Sequence, residues 1–126
     1  MQNIILRILF QCLLLGSTHA QIFAQEAKAI LGFWKDGANP DKQIEMYEQG
    51  GRYFGRSTPS APKPGFLVFQ DLAWNASSKS YQGYIQDPEG SGRYPIAITW
   101  NGPNAFQFKI KRLVFTKSFR FVRITQ

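Results

Sequence analysis

The sequence predicts an all-β protein, an antiparallel sandwich or barrel of about eight strands, and three observations carry that prediction. Past the N-terminal segment no stretch sustains the 3.6-residue apolar period of a helix, apart from one helical turn's worth of pattern at Glu26 to Ile30. Short runs rich in aromatic and β-branched residues recur roughly every eight to twelve positions, separated by Gly, Pro, Asn and Asp clusters. Aromatic residues make up 15% of the chain, a composition that fills a compact core with large apolar area at modest side-chain entropy cost.

The first strand is predicted over Ile30–Lys35, ending at Asp36-Gly37-Ala38-Asn39-Pro40-Asp41, whose residues suit turns and not ladders. Lys42–Gln49 is the second. Gly50-Gly51 then forms a two-residue hairpin connection, because glycine reaches the positive φ of primed turns without a Cβ clash, and Arg52–Ser57 returns antiparallel. Thr58–Gly65 holds Pro59, Pro62 and Pro64, so it reads as a loop that cannot join a ladder. Phe66–Trp74 is the next strand, Asn75–Ser80 a polar turn, and Tyr81–Gln86 and Arg93–Trp100 flank the hairpin Asp87–Gly92. Asn101–Asn104 turns the chain into Ala105–Lys111, where Phe106, Phe108 and Ile110 fall on one face and Gln107, Lys109 and Lys111 on the other. Two closing strands are expected within Leu113–Gln126.

The N-terminus reads as an export signal: a weakly basic start at Met1–Arg7, an apolar run at Ile8–Leu15, and a small-residue cleavage site at Gly16–Ala20, with a second acceptable cut after Ala24. The apolar run falls short of the about 20 residues needed to span a bilayer, so no transmembrane segment is expected and the protein is released to the periplasm or the medium. Cleavage would remove Cys12 and His19, the chain's only cysteine and histidine. The domain that remains has no disulfide framework and none of the usual zinc, copper or haem ligands, so no metal or cofactor is expected. At this size it holds one core.

Net charge is +7, and loss of Arg7 with the leader gives 7 − 1 = +6. After Glu89 there is no acid, while Arg93, Lys109, Lys111, Arg112, Lys117, Arg120 and Arg123 follow, so the last third carries a positive field. An exported protein rarely meets nucleic acid, which leaves an anionic envelope component or the acidic head of an amphipathic molecule as partners.

Two sets of residues resemble known patterns. Gly32-Phe33-Trp34 resembles the G-x-W signature that opens lipocalin-type barrels, in which the tryptophan closes the base and an arginine from the last strand lies over it; here that arginine is Arg123. The longer series Gly32-x-Trp34, Tyr47, Gly55, Tyr81-x-Gly83-x-Ile85-x-Asp87-Pro88, Tyr94 and Phe121-x-Arg123 resembles the small exported bacterial family called domain of unknown function 2147, over roughly residues 30 to 125. Tyr81 and Phe121 stand where that family usually has tryptophan, and Ser91 where it has glycine. The resemblance implies a lipocalin-like barrel with no established activity.

Chemistry-bearing residues are few. Asp87 and Glu89 offer two carboxylates where calcium takes about six to eight oxygens, so Asp87–Gly92 reads as a hairpin turn. A carboxylate hydrolase would need two acids roughly 5 to 9.5 Å apart. Glu45, on one strand face with Tyr47, and Asp71, on one with Leu67 and Phe69, are the acids that might turn inward; solvation or ion pairing is the simpler expectation. The protein is accordingly read as a non-enzymatic barrel that binds a small apolar or amphipathic, anionic-headed molecule. Glu45, Tyr47, Phe69 and Asp71 are its candidate lining, and Lys63, with Ser57, Thr58 and the prolines, a lid. The alternative is a solid-cored interaction module that uses the Lys109, Lys111 and Arg112 face, and cavity volume separates the two. The triplet Asn75-Ala76-Ser77 matches a glycosylation acceptor and carries little weight.

Overall fold

The computed structural model describes residues 25–90 and 92–125. The export segment with both cleavage positions, Cys12, His19 and Ser91 therefore lie outside the described residues. Residues 25–28 form one turn of helix, followed by a hydrogen bond from Ala29 N to Glu26 O of 3.3 Å. No helix among the described residues is long and apolar enough to cross a membrane, which says nothing of β-barrels.

From Leu31 the chain builds eight antiparallel strands: β1 (Gly32–Asp36), β2 (Gln43–Gln49), β3 (Arg52–Ser57), β4 (Leu67–Asn75), β5 (Ser80–Gln86), β6 (Arg93–Trp100), β7 (Ala105–Arg112) and β8 (Phe115–Arg123). Each pairs with its neighbour in sequence, and β1 closes the ring on β8 through Trp34↔Arg123, Lys35↔Val122 and Asp36↔Phe121. The small antiparallel barrel is thus present, with a barrel resolving the sandwich alternative. Closure pairs every strand on both sides for at least part of its length, the β6–β7 junction at two rungs only.

Local chemistry accounts for the turns. Gly50 and Gly51 have φ of 61° and 77°, both in the left-handed region, and connect β2 to β3 from Gln49↔Arg52 onward. The proline-bearing segment 58–65 is tied down by its own hydrogen bonds, Ala61 N to Thr58 O and Gly65 N to Ser57 O, each 3.0 Å. In place of two closing strands there is one, the nine-residue β8, in register with β7 from Ala105↔Val122 to Arg112↔Phe115.

A bulge in β4 alters the predicted faces. Phe69 and Leu72 are both fully buried although three positions apart, and the pairing with β5 shifts between Gln70 and Ala73. Asp71 sits in the irregularity with φ 54°, so the alternation that would have placed it beside Phe69 is broken there. Gly83 lies opposite: a Cβ on it would come within 2.7 Å of Gln70 O and 2.9 Å of Asp71 O. The bulge and the absent side chain fit each other.

The two ends of the barrel differ. The hairpins β2–β3, β4–β5 and β6–β7 lie at the end here called the base, and the connections 37–42, 58–66, 87–92 and 113–114 at the opposite end, the mouth. At the base Trp34 packs edge-on against Phe106 at 4.8 Å between ring centroids, and Tyr81 meets Trp74 at 4.7 Å and Tyr53 at 5.7 Å. Higher up, Phe69, Phe106, Phe108 and Phe121 interlock at 5.2 to 6.4 Å. Such pairs contribute about 0.5–1.5 kcal/mol each beyond area burial.

Candidate functional site at the barrel mouth

β2 presents Ile44 and Met46 to the core at 2% exposure each, which puts Glu45 and Tyr47 on the outer face. There Arg56 of β3 donates from Nε and Nη2 to Glu45 Oε1 at 3.0 and 2.8 Å, while its guanidinium lies 4.4 Å from the Tyr47 ring centroid. The expected inward placement of these two residues is corrected: with Ile44 and Met46 both apolar and in phase, burying the charged alternates would have cost far more. Asp71 is corrected likewise. It is half-exposed, with Oδ2 3.5 Å from Arg93 Nη1, and Arg93 in turn covers the Tyr84 ring at 3.9 Å. Phe69 does point inward, but it is wholly buried among three other phenylalanines and serves as packing, not as lining.

The signature residues occupy the base and the β5–β6 hairpin. Arg123 places its guanidinium 4.2 Å from the Trp34 ring centroid and donates to Leu31 O at 3.1 Å. A Cβ on Gly32 would stand 3.3 Å from that guanidinium, and one on Gly55 2.8 Å from Phe69. Asp87 organises its hairpin. Its backbone N–H reaches Gly92 O at 3.0 Å, Oδ1 accepts from Glu89 N at 3.0 Å, and Oδ2 lies 3.5 Å from both Tyr94 Oη and Arg112 Nη2. Those partners occupy the carboxylate as a turn-former. Asn75 Oδ1 is similarly engaged, accepting from Ser77 N and Ser78 N.

The aromatic filling stops short of the mouth. A cavity of about 350 Å³ opens there, floored and walled by Ile85, Phe108, Ile110, Phe119 and Phe121, with Asp36, Lys42, Asp87, Glu89, Arg112 and Lys117 also on its lining. A smaller hollow of about 270 Å³ lies beneath the 58–65 loop, between Ile44, Ala61, Phe66 and Val68, and shares Lys42, Pro88, Glu89 and Phe121 with the first. Lys63 stands at their junction. Its Nζ donates to Pro88 O at 2.7 Å, strapping the proline-rich loop to the β5–β6 hairpin across the mouth.

Lys117 was not among the sequence candidates, and Arg112 was named only on the basic face of the interaction-module alternative. Counting back by twos from Arg123 along β8 gives Phe121, Phe119, Lys117 and Phe115 on one face, so the position of Lys117 was available once Arg123 was placed over Trp34. The eight-strand register that brings β7, β8 and the 87–92 hairpin together was not.

Electrostatically the lining is mixed but unevenly committed. Asp87 is shared between Tyr94 and Arg112, and buried Asp36 accepts the Ala38 N–H at 2.8 Å, while Lys117 lies with its Nζ 5.1 Å from the Phe119 ring. At the base, burial pushes the Tyr53 hydroxyl above its usual value, with the charge of Glu48 and a hydrogen bond to it adding to the effect. Among the described residues no group of three or more His, Cys, Asp or Glu side chains is placed to hold a metal ion.

Compared with known proteins, the chain matches no family model, no curated protein and no solved structure.

Proposed function

We propose that the protein is an exported binding barrel that takes a small amphipathic molecule with an anionic head at its mouth, and that it belongs to the exported family its signature residues resemble. The observation that carries this reading is the cavity of about 350 Å³ whose apolar floor is joined on the lining by Lys42, Arg112 and Lys117, with Asp87 paired to Arg112, Asp36 turned to the Ala38 N–H, and Glu89 exposed. Its volume falls at the lower end of small-molecule sites, roughly 300–1,000 Å³, and its make-up follows their pattern of apolar walls with few polar groups. Phe108, Phe119 and Phe121 suit a short acyl or aromatic body, and Lys117 and Arg112 suit a carboxylate or similar head. The acids named for hydrolysis, Glu45 and Asp71, lie on the outer face with arginine partners, which favours binding over catalysis.

The test is calorimetric titration with three ligands of one chain length: decanoate, decanol and decyltrimethylammonium. Decanoate binds most tightly and the quaternary amine least. Lys117→Ala weakens decanoate by about 1.5–3 kcal/mol, the range for a hydrogen bond to a charged group, or roughly ten- to a hundredfold in Kd. Absence of binding by all three to a protein with a native circular dichroism spectrum would overturn the reading and shift weight to the interaction-module alternative.

A further inference from the structure

The connection between β7 and β8 departs from the chemistry of the chain's other two-residue turn, Gly50-Gly51. A two-residue hairpin turn ordinarily takes Asn, Asp or Gly to reach positive φ. Here it consists of Leu113 and Val114, neither of which adopts positive φ. Both side chains stand fully in solvent, at 105% and 91% exposure, and Phe115 beside them is 55% exposed. Leu113 and Val114, at the tip of the hairpin, stabilise neither the turn nor the core, while Phe115 faces the cavity. A local rule broken without a folding gain points to function.

A second, independent feature says what covers them. The hairpin carries Lys109, Lys111, Arg112, Lys117 and Arg120 within twelve residues and has no acid. Lys111 and Lys109 are exposed on its outer face behind the apolar tip, and Arg120, paired with Gln107, lies further back toward the base. An apolar tip with a basic collar complements one kind of surface, a bilayer with anionic headgroups: the tip enters the headgroup–acyl boundary while the cations remain at the level of the lipid phosphates.

We infer that the β7–β8 hairpin is a membrane-docking element that inserts Leu113 and Val114 into an anionic bilayer. The tip and the cavity lie at the same end of the barrel, so docking turns the mouth toward the lipid. Leu113 and Val114 are not among the cavity-lining residues whereas Phe115 is, so the test rests on Leu113 and Val114.

The experiment is co-sedimentation with vesicles of equal parts phosphatidylglycerol and phosphatidylcholine, and with phosphatidylcholine alone. It compares the full chain as its host processes it with the double variant Leu113→Ser/Val114→Ser. Both proteins share one N-terminus, so any contribution from residues 1–24 cancels. Wild type partitions onto the anionic vesicles and at least tenfold less onto the neutral ones, and the double variant loses about ten- to a hundredfold of the anionic partitioning. Lys109→Glu/Lys111→Glu loses several-fold more than salt screening alone removes. In Val114→Trp the new indole is quenched by brominated acyl chains. Equal partitioning of wild type and the Leu113/Val114 variant overturns the inference. So does a wild-type dimer in sedimentation velocity that the double variant abolishes while neither protein binds vesicles, since the tip would then be covered by a second copy of the chain.

Discussion

The base and the mouth are made by the same eight strands, and they use aromatic residues to opposite ends. At the base, Trp34, Trp74, Tyr81, Trp100 and Phe106 meet ring to ring, and Arg123 caps the arrangement from β8. At the mouth Phe119 stacks on Phe108 at 5.2 Å, but the residues above them on the same inner faces are Ile110, Arg112, Lys117 and half-exposed Phe115. Two or three charged side chains in inward phase are enough to halt the filling and leave a cavity. What distinguishes a solid barrel from a binding one here is where the inward alternation turns polar along β7 and β8, not the number of aromatics.

The comparison breaks most severely at Trp34. Trp34→Ala removes a fully buried indole and the surface on which Arg123 rests, and is expected to cost about 3–5 kcal/mol in chemical denaturation. An unchanged unfolding midpoint would mean that the base is not the stable half. Gly83→Ala follows at about 1–3 kcal/mol, since its Cβ must push on β4 backbone atoms at the bulge, which cannot rotate away as a side chain can. At the mouth the same measurements read differently. Lys117→Ala changes stability by less than about 0.5 kcal/mol while lowering decanoate affinity as given above, so the two ends separate folding from binding. Smallest is Lys63→Ala, which unstraps the 58–65 loop by removing a solvent-exposed hydrogen bond, leaves the unfolding midpoint nearly unchanged and shows as faster proteolysis within that loop.

Alkaline pH provides a separate probe of the base. Because the folded state holds the Tyr53 hydroxyl protonated above its usual value, its contribution is fully present below pH about 10 and is lost as pH rises through the raised folded value. Denaturation followed upward from that point gives a falling stability in wild type. In Tyr53→Phe the part of the slope due to this residue disappears.

Much of the barrel was legible because turn chemistry and period-two alternation agree over most of its length. Arg52–Ser57 and Arg93–Trp100 match their predicted limits, and Phe106, Phe108 and Ile110 share the buried face of β7. The prediction failed where alternation is interrupted or its phase is ambiguous. The β4 bulge displaced Asp71 from the face of Phe69, a change that depends on Gly83 in another strand and so leaves no trace in the local pattern. Glu45 and Tyr47 were assigned to the wrong side of β2 although Ile44 and Met46 offered the stronger apolar phase. Two closing strands were expected where β8 is one, and its inner face includes Lys117, a lysine that inward phase accommodates at the open end. The site was obscure for the same reason: its residues come from β1, β5, β6, β7, β8 and two loops, and only the closed ring assembles them.

Ring closure is itself uneven. β5 and β6 stay in register from Ser80↔Thr99 to Gln86↔Arg93, and β7 and β8 do so along their whole length, whereas β6 joins β7 at Thr99↔Gln107 and Trp100↔Phe106, beside the base. Above those two rungs the wall has a seam, and Pro95 on its β6 side has no N–H with which to close it. Amide exchange from Lys109 to Arg112 is therefore governed by local opening at well below the free energy of global unfolding, while the Trp34 to Phe106 region exchanges only with the whole barrel. Mechanically the β7–β8 hairpin is a cantilever, clamped toward the base along one margin to β6 and along the other to β1 through Phe121 to Arg123. It can lean outward and widen the opening without breaking a rung, and any force on Leu113 and Val114 acts at the end of that lever.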